Sequence, residues 1–172
     1  MRSRLALLTA LVAAAFPSVA MADEPPTCLP AQGQAIDGQS VRGVQVGSRA
    51  VIRDSNGNPL QVNSVSYCVD GGGVFGFALS REGDVVLALS SADGDAIGPI
   101  NPTSPAASAR MAFPKMKKLT RSSGGTSVYR VDSRRQLILG VADGRVTFVA
   151  AADRLLLEYP NKLGYYLHRL GF

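Results

Sequence analysis

The chain has 172 residues and a formal net charge of +5, with 18 Gly, 10 Pro, two Cys, one His and no Trp. A hydrophobic share of 46% is enough for a packed core and excludes a disordered polyelectrolyte. One His and two Cys exclude a zinc ribbon and any site that needs two histidines.

The first 22 residues read as a cleaved secretory signal. Arg2 and Arg4 make a basic start, Leu5 to Phe16 is an apolar run of 12, and Ala20-Met21-Ala22 offers a small–x–small cleavage site. The run is too short to span a bilayer comfortably, and Pro25-Pro26-Thr27 before Cys28 is no lipoprotein signal. What remains, residues 23–172, has the size of one domain. The expected location is the periplasm or the exterior, where two cysteines pair. Cys28 and Cys68 are therefore expected to form a disulfide. It would fasten an extended, Pro-rich arm (residues 23–40) to a single β domain (residues 41–172).

Strand and turn signals follow in order. Ala50-Val51-Ile52 and Leu60 to Cys68 flank Asp54-Ser55-Asn56-Gly57-Asn58, a hairpin signal because Asn-Gly reaches positive φ. Asp54, Asn56 and Asn58 begin like a calcium loop, but Pro59 and Val65 stand where glycine and glutamate are needed. Gly71-Gly72-Gly73 reads as a turn. Val74 to Leu79 places Phe75, Phe77 and Leu79 on one face, then turns through Arg81-Glu82-Gly83-Asp84 into Val85 to Leu89. Asp93 to Ser108, rich in Gly, Pro, Ala and Ser, reads as a long loop of functional or mobile kind between two halves. Within it, Asp93-Gly94-Asp95 suits at most a weak calcium site. Gln136 to Leu139 and Val146 to Val149 are joined through Asp143-Gly144. Ala151-Ala152-Asp153-Arg154 turns into Leu155 to Tyr159, and Tyr165 to Phe172 reads as a closing strand.

No stretch sustains a helical period, and turn signals recur roughly every 8–12 residues. The expected fold is all-β: an antiparallel β-sandwich or partly closed β-barrel with hairpin turns. Strands apolar on both faces, such as Leu137 to Val141, should lie centrally. A second sheet or a second copy of the chain would cover them, so a homo-oligomer is one option.

Charge is unevenly spread. Residues 23–109 carry four basic and nine acidic side chains, whereas residues 110–135 carry eight basic and one acidic. Within the basic segment, Arg110, Lys115, Lys117, Lys118 and Arg121 are the candidate binding residues. Pro114 argues for an edge strand or extended loop there. Such a segment attracts an anionic envelope component or an acidic protein. The plainer reading is that lysine on an edge strand blocks edge-to-edge aggregation. Export argues against nucleic acid as the partner. No spacing for a metal or cofactor is present, and any histidine-dependent hydrolase would have to use His168.

Phe172, with Leu170, His168 and Tyr166 at alternate positions before it, resembles the C-terminal strand of outer-membrane β-barrels. That likeness implies a small eight-stranded barrel. Ser66-Tyr67-Cys68 and Ser122-Ser123-Gly124-Gly125-Thr126-Ser127-Val128-Tyr129 resemble the Cys-bearing first strand and the Ser-Gly–Tyr loop of periplasmic C-type lysozyme inhibitors. That likeness implies an exported β domain that binds a protein. The leading expectation is an exported, non-enzymatic binding protein of the cell envelope. Protein recovered from the periplasm or the medium should begin at Asp23 by N-terminal mass analysis, and a chain beginning at Met1 would contradict the signal reading.

Overall fold

The computed structural model describes residues 28–36, 38–53, 56–122, 124–131 and 136–172. The signal segment (1–22), the start of the arm (23–27) and Asp54-Ser55 of the first hairpin turn lie outside the described residues.

The fold is predominantly antiparallel β. A small hairpin, β1 (Ser40–Val41) and β2 (Val44–Gln45), precedes the strands of the main sheet. These are β3 (Ser64–Cys68), β4 (Val74–Leu79), β5 (Val85–Ser90), β6 (Lys117–Arg121), β7 (Ser127–Arg130), β8 (Leu137–Ala142) and β9 (Arg145–Ala152). Their order is β3-β4-β5-β9-β8-β7-β6, open at both edges and not closed into a barrel. Helix α1 (Ala106–Ala112) follows β5, and α2 (Arg154–Glu158) and α3 (Pro160–Arg169) end the described chain.

The turns follow the local chemistry. Asp143 (φ 50°) and Gly144 (φ 73°) both take the positive φ that a two-residue turn matching strand twist requires. This joins β8 to β9 where the Asp-Gly signal predicts. Gly71, Gly72 and Gly73 all adopt positive φ in the β3–β4 turn, as expected of a turn. Leu60 N–H donates to Ile52 C=O at 2.7 Å, and Arg53 bridges Pro59 in antiparallel fashion, so the Asn56-Gly57 hairpin closes too.

Side-chain alternation gives the main sheet two buried faces. On one, Phe75, Phe77, Leu79, Val85, Leu137, Leu139 and Val149 pack with Ile36, Val41, Val46, Ile97, Ile100 and Ala109. That covering layer comprises the arm, the β1–β2 hairpin, the 91–105 segment and α1. On the other face, Leu87, Leu89, Val128, Ile138 and Phe148 pack with Leu156, Leu157, Leu163, Leu167 and Leu170 of the C-terminal helices. The two-faced strand β8 is thus central, as its sequence implies. On both faces the cover comes from other parts of the same chain, the β1–β2 hairpin among them.

Three expectations are corrected. Leu155 to Tyr159 and Tyr165 to Phe172 are largely helical and form no strand. Asp153 caps α2 by accepting from Leu155 N–H at 2.8 Å, Pro160 starts α3 at its first turn, and Leu163 and Leu167 repeat at helical spacing. The likeness to an outer-membrane C-terminal strand therefore fails, because that segment belongs to no sheet. The presumed 93–108 loop ends in α1, where four of seven residues are alanine, the best helix former. Pro114 does not keep residues 110–112 out of that helix, because it falls in the turn after it. The rest of the segment is anchored: Ile97 and Ile100 are buried, and Thr103 N–H donates to Val146 C=O at 2.7 Å.

The disulfide joins Cys28 and Cys68 as expected. Beyond it, Leu29 N–H donates to Cys68 C=O and Asp70 N–H to Leu29 C=O, at 2.9 and 2.8 Å. Further along, Ile36 N–H donates to Ala96 C=O at 2.7 Å, and Ala96 N–H to Gln34 C=O at 2.9 Å. Asp95 sits between these contacts, its side chain fully buried. Its Oδ1 accepts from Gln34 N–H at 2.9 Å, and its Oδ2 accepts from Arg42 Nε at 2.6 Å. Arg42 Nη1 donates onward to Pro30 C=O at 2.9 Å. Both carboxylate oxygens are thereby engaged within the protein.

Gly140 in β8 faces Phe148 across the β8–β9 ladder. A Cβ at that position would stand 2.2 Å from the Phe148 ring, which is fully buried and meets Phe172 edge-on at 5.1 Å. Gly140→Ala should lower stability by about 1–3 kcal/mol through overpacking. Urea unfolding checks this, and an unchanged midpoint would contradict the packing described.

Candidate functional site: a basic sheet edge

The basic segment folds as α1, a turn through Pro114, and edge strand β6. β6 pairs only with β7 within the sheet, so it carries the charge along one open edge. A register shift between Lys118 and Thr120 marks a bulge there. Bulges and lysines are both devices that keep an edge from pairing with another chain. The edge-strand expectation therefore holds for residues 117–121.

Strand register divides the candidate residues between the two sides of the sheet. Val128 packs among the leucines of α3, so Arg130, two residues on, shares that side, and Lys117 lies directly opposite Arg130. Tyr129 and Ser127 face the α1 side, with Lys118 opposite Tyr129 and Arg121 opposite Ser127. The five basic residues thus do not form one continuous patch.

Two clefts result. Lys115, Lys117 and Arg130 line a cleft of about 360 Å³ together with Pro114 and Met116. No carboxylate lines it among the described residues. Directly opposed like charges on neighbouring strands repel, so the sequence retains an unfavourable pair at this point. The second cleft, about 510 Å³, lies on the α1 side and takes in Arg110, Arg121, Ser127, Tyr129 and Asp143. Arg121 Nε donates to Gly125 C=O at 2.9 Å, which fixes its guanidinium against the β6–β7 turn. Here Asp143 offsets part of the charge. Lys118 is exposed at the edge between the two.

Arg130 was the member that sequence reading left out of the binding set. Its signal was the alternation Val128-x-Arg130, which fixes its side once Val128 is known to be buried. The 93–108 segment contributes only Ala106 to the basic clefts. Arg134 and Arg135, counted in the basic segment, lie outside the described residues. His168 is exposed on α3 and lines neither basic cleft. Far from this edge, the Glu82 carboxyl is held below its ordinary pKa by its own backbone N–H and by the Ser80 hydroxyl, so it stays charged. Among the described residues, no group of three His, Cys, Asp or Glu side chains is placed to hold a metal, and no helix is long and apolar enough to cross a membrane. Comparison with family models, curated proteins and solved structures returned no match.

Proposed function

We propose that this chain is an exported, non-enzymatic binding protein of the cell envelope, and that an anionic group of its partner seats on Lys115, Lys117 and Arg130. The observation that carries this reading is the directly opposed Lys117–Arg130 pair, in a cleft that Lys115 also lines and to which no described carboxylate contributes. An arriving phosphate or carboxylate relieves the repulsion and accepts charge-assisted hydrogen bonds from three donors at once. Lys118, Arg121 and Arg110 extend the attraction around the edge strand and steer an anionic partner towards it. Export is supported by the leader-like residues 1–22 and by the Cys28–Cys68 disulfide. An anionic envelope component and an acidic protein both satisfy this chemistry.

The test is capture from an envelope extract on the immobilised mature chain. It is run at about 0.1 M salt, where the Debye length is about 10 Å, and at about 1 M, where it is about 3 Å. The wild-type chain should retain a component at the lower salt and release it at the higher. Replacing Lys115, Lys117 and Lys118 together by Glu should abolish retention while leaving the exposed edge folded. Equal retention by that variant would sink the proposal.

A further inference from the structure

Helix α3 has two unlike sides. Leu163 and Leu167 are fully buried against the main sheet. Away from them run Lys162, Tyr165 and Arg169, preceded by Tyr159, at the spacings of three and four that align residues along a helix. Each tyrosine carries a cation from the same row. Lys162 Nζ lies 5.0 Å from the Tyr159 ring centroid, and the Arg169 guanidinium lies 5.1 Å from that of Tyr165. Tyr159 and Tyr165 are each 53% exposed, and Leu155 on neighbouring α2 is 64% exposed.

The surrounding charge favours an anionic partner. Lys117 and Arg130 share this side of the sheet by strand register. The carboxylates on this side are engaged or faced by cations: Asp153 caps α2 through Leu155 N–H, Glu158 is paired with Arg154 at 3.2 Å, and Glu82 sits beside Arg81 across a cleft from Lys162.

We propose that the α2–α3 side docks on an anionic phospholipid bilayer. Tyrosine has an apolar body and a polar tip, and it settles at the headgroup level of a membrane. Lysine and arginine reach the lipid phosphates while their stems follow the apolar surface. Leu155, on the neighbouring helix α2, adds an exposed and purely apolar side chain. The attachment is peripheral, because the apolar stripe of α3 is already spent on the protein core. An acidic protein surface would satisfy the cations but would leave Leu155 and the two tyrosine rings without an apolar phase. This inference rests on the helical layer and does not require the Lys115–Lys117–Arg130 cleft to bind anything.

The chain contains no Trp, so Tyr165→Trp installs a single emission reporter on the docking side. With vesicles of phosphatidylcholine mixed with phosphatidylglycerol, the Trp emission should shift to the blue and the protein should sediment with the vesicles. Vesicles of phosphatidylcholine alone should do neither. Lys162→Gln combined with Arg169→Gln should weaken binding to the mixed vesicles on the order of thirtyfold, roughly fivefold for each cation near the surface. Both side chains lie on the outer row of α3, and circular dichroism checks that the helices persist. If the double variant misfolds, Arg169→Gln alone should still give about a fivefold loss. Absence of the shift, binding that does not depend on phosphatidylglycerol, or binding that the cation variants leave unchanged would each overturn the proposal. A lost shift with envelope capture intact overturns this inference alone. Lost capture with the shift intact overturns only the reading of the cleft.

Discussion

The buried Asp95 carboxylate and its Arg42 partner constrain one whole side of this protein. The main sheet needs both faces covered, and on the α1 side the cover is mostly irregular chain. Irregular chain cannot satisfy its own backbone groups by a ladder, so each must find a specific partner. Asp95 supplies that partner at the crossing point of three segments: it takes the Gln34 N–H of the arm and the Arg42 guanidinium of the β1–β2 turn, and its own backbone belongs to the segment that leads to α1. Arg42 adopts a positive φ of 48° beside Gly43 in that turn. Its side chain is only 7% exposed and that of Asp95 is fully buried. A buried pair of this kind adds little relative to apolar residues of the same shape, but breaking it leaves a charge stranded in the interior. The pair therefore acts as a lock on geometry. The nearby backbones fit closely enough that a Cβ on Gly33 would stand 1.9 Å from Gly94 O.

That lock has consequences at a distance. Asp95 begins the segment that runs through the Ile97–Ile100 turn into α1, and α1 carries Arg110 to the edge cleft beside Arg121. The opposite face needs no such device, because α2 and α3 satisfy their own backbones and bring leucines to the sheet. Helices also leave an outer surface free to carry Lys162, Tyr165 and Arg169. The two sides of one sheet thus differ in kind, one knitted by polar contacts and the other by apolar packing. The basic edge strand β6 runs between them. Its lysines serve against aggregation whether or not they bind a partner, and the direct opposition of Lys117 to Arg130 is the feature that edge protection leaves unexplained.

Much of the fold was legible because strands and tight turns are short-range. Asp143-Gly144, Gly71-Gly72-Gly73 and the alternation through Phe75, Phe77 and Leu79 each specify their own geometry. The Cys28–Cys68 pairing followed from composition. Helices α2 and α3 were missed because each is short, and because Leu155-Leu156-Leu157 is apolar without a visible period. Asp153 as a cap and Pro160 at a helix start were the signals available. The candidate site was legible as a run of basic residues but not as geometry. Alternation and the bulge send Lys117 and Lys118 to opposite sides, and Arg130 reaches Lys117 only through β6–β7 pairing. The Arg42–Asp95 pair spans 53 residues and left no local trace.

The most direct measurement is the unfolding free energy of Asp95→Ala. Removing the carboxylate strands Arg42 in the interior and frees Gln34 N–H, so a loss of about 3–5 kcal/mol is expected by urea unfolding. Replacing Arg42 by Met in the same chain should recover much of that loss, because no buried charge then remains. An Asp95→Ala chain within about 1 kcal/mol of the wild type, with the arm still protected from hydrogen exchange, would contradict the central role assigned to this pair.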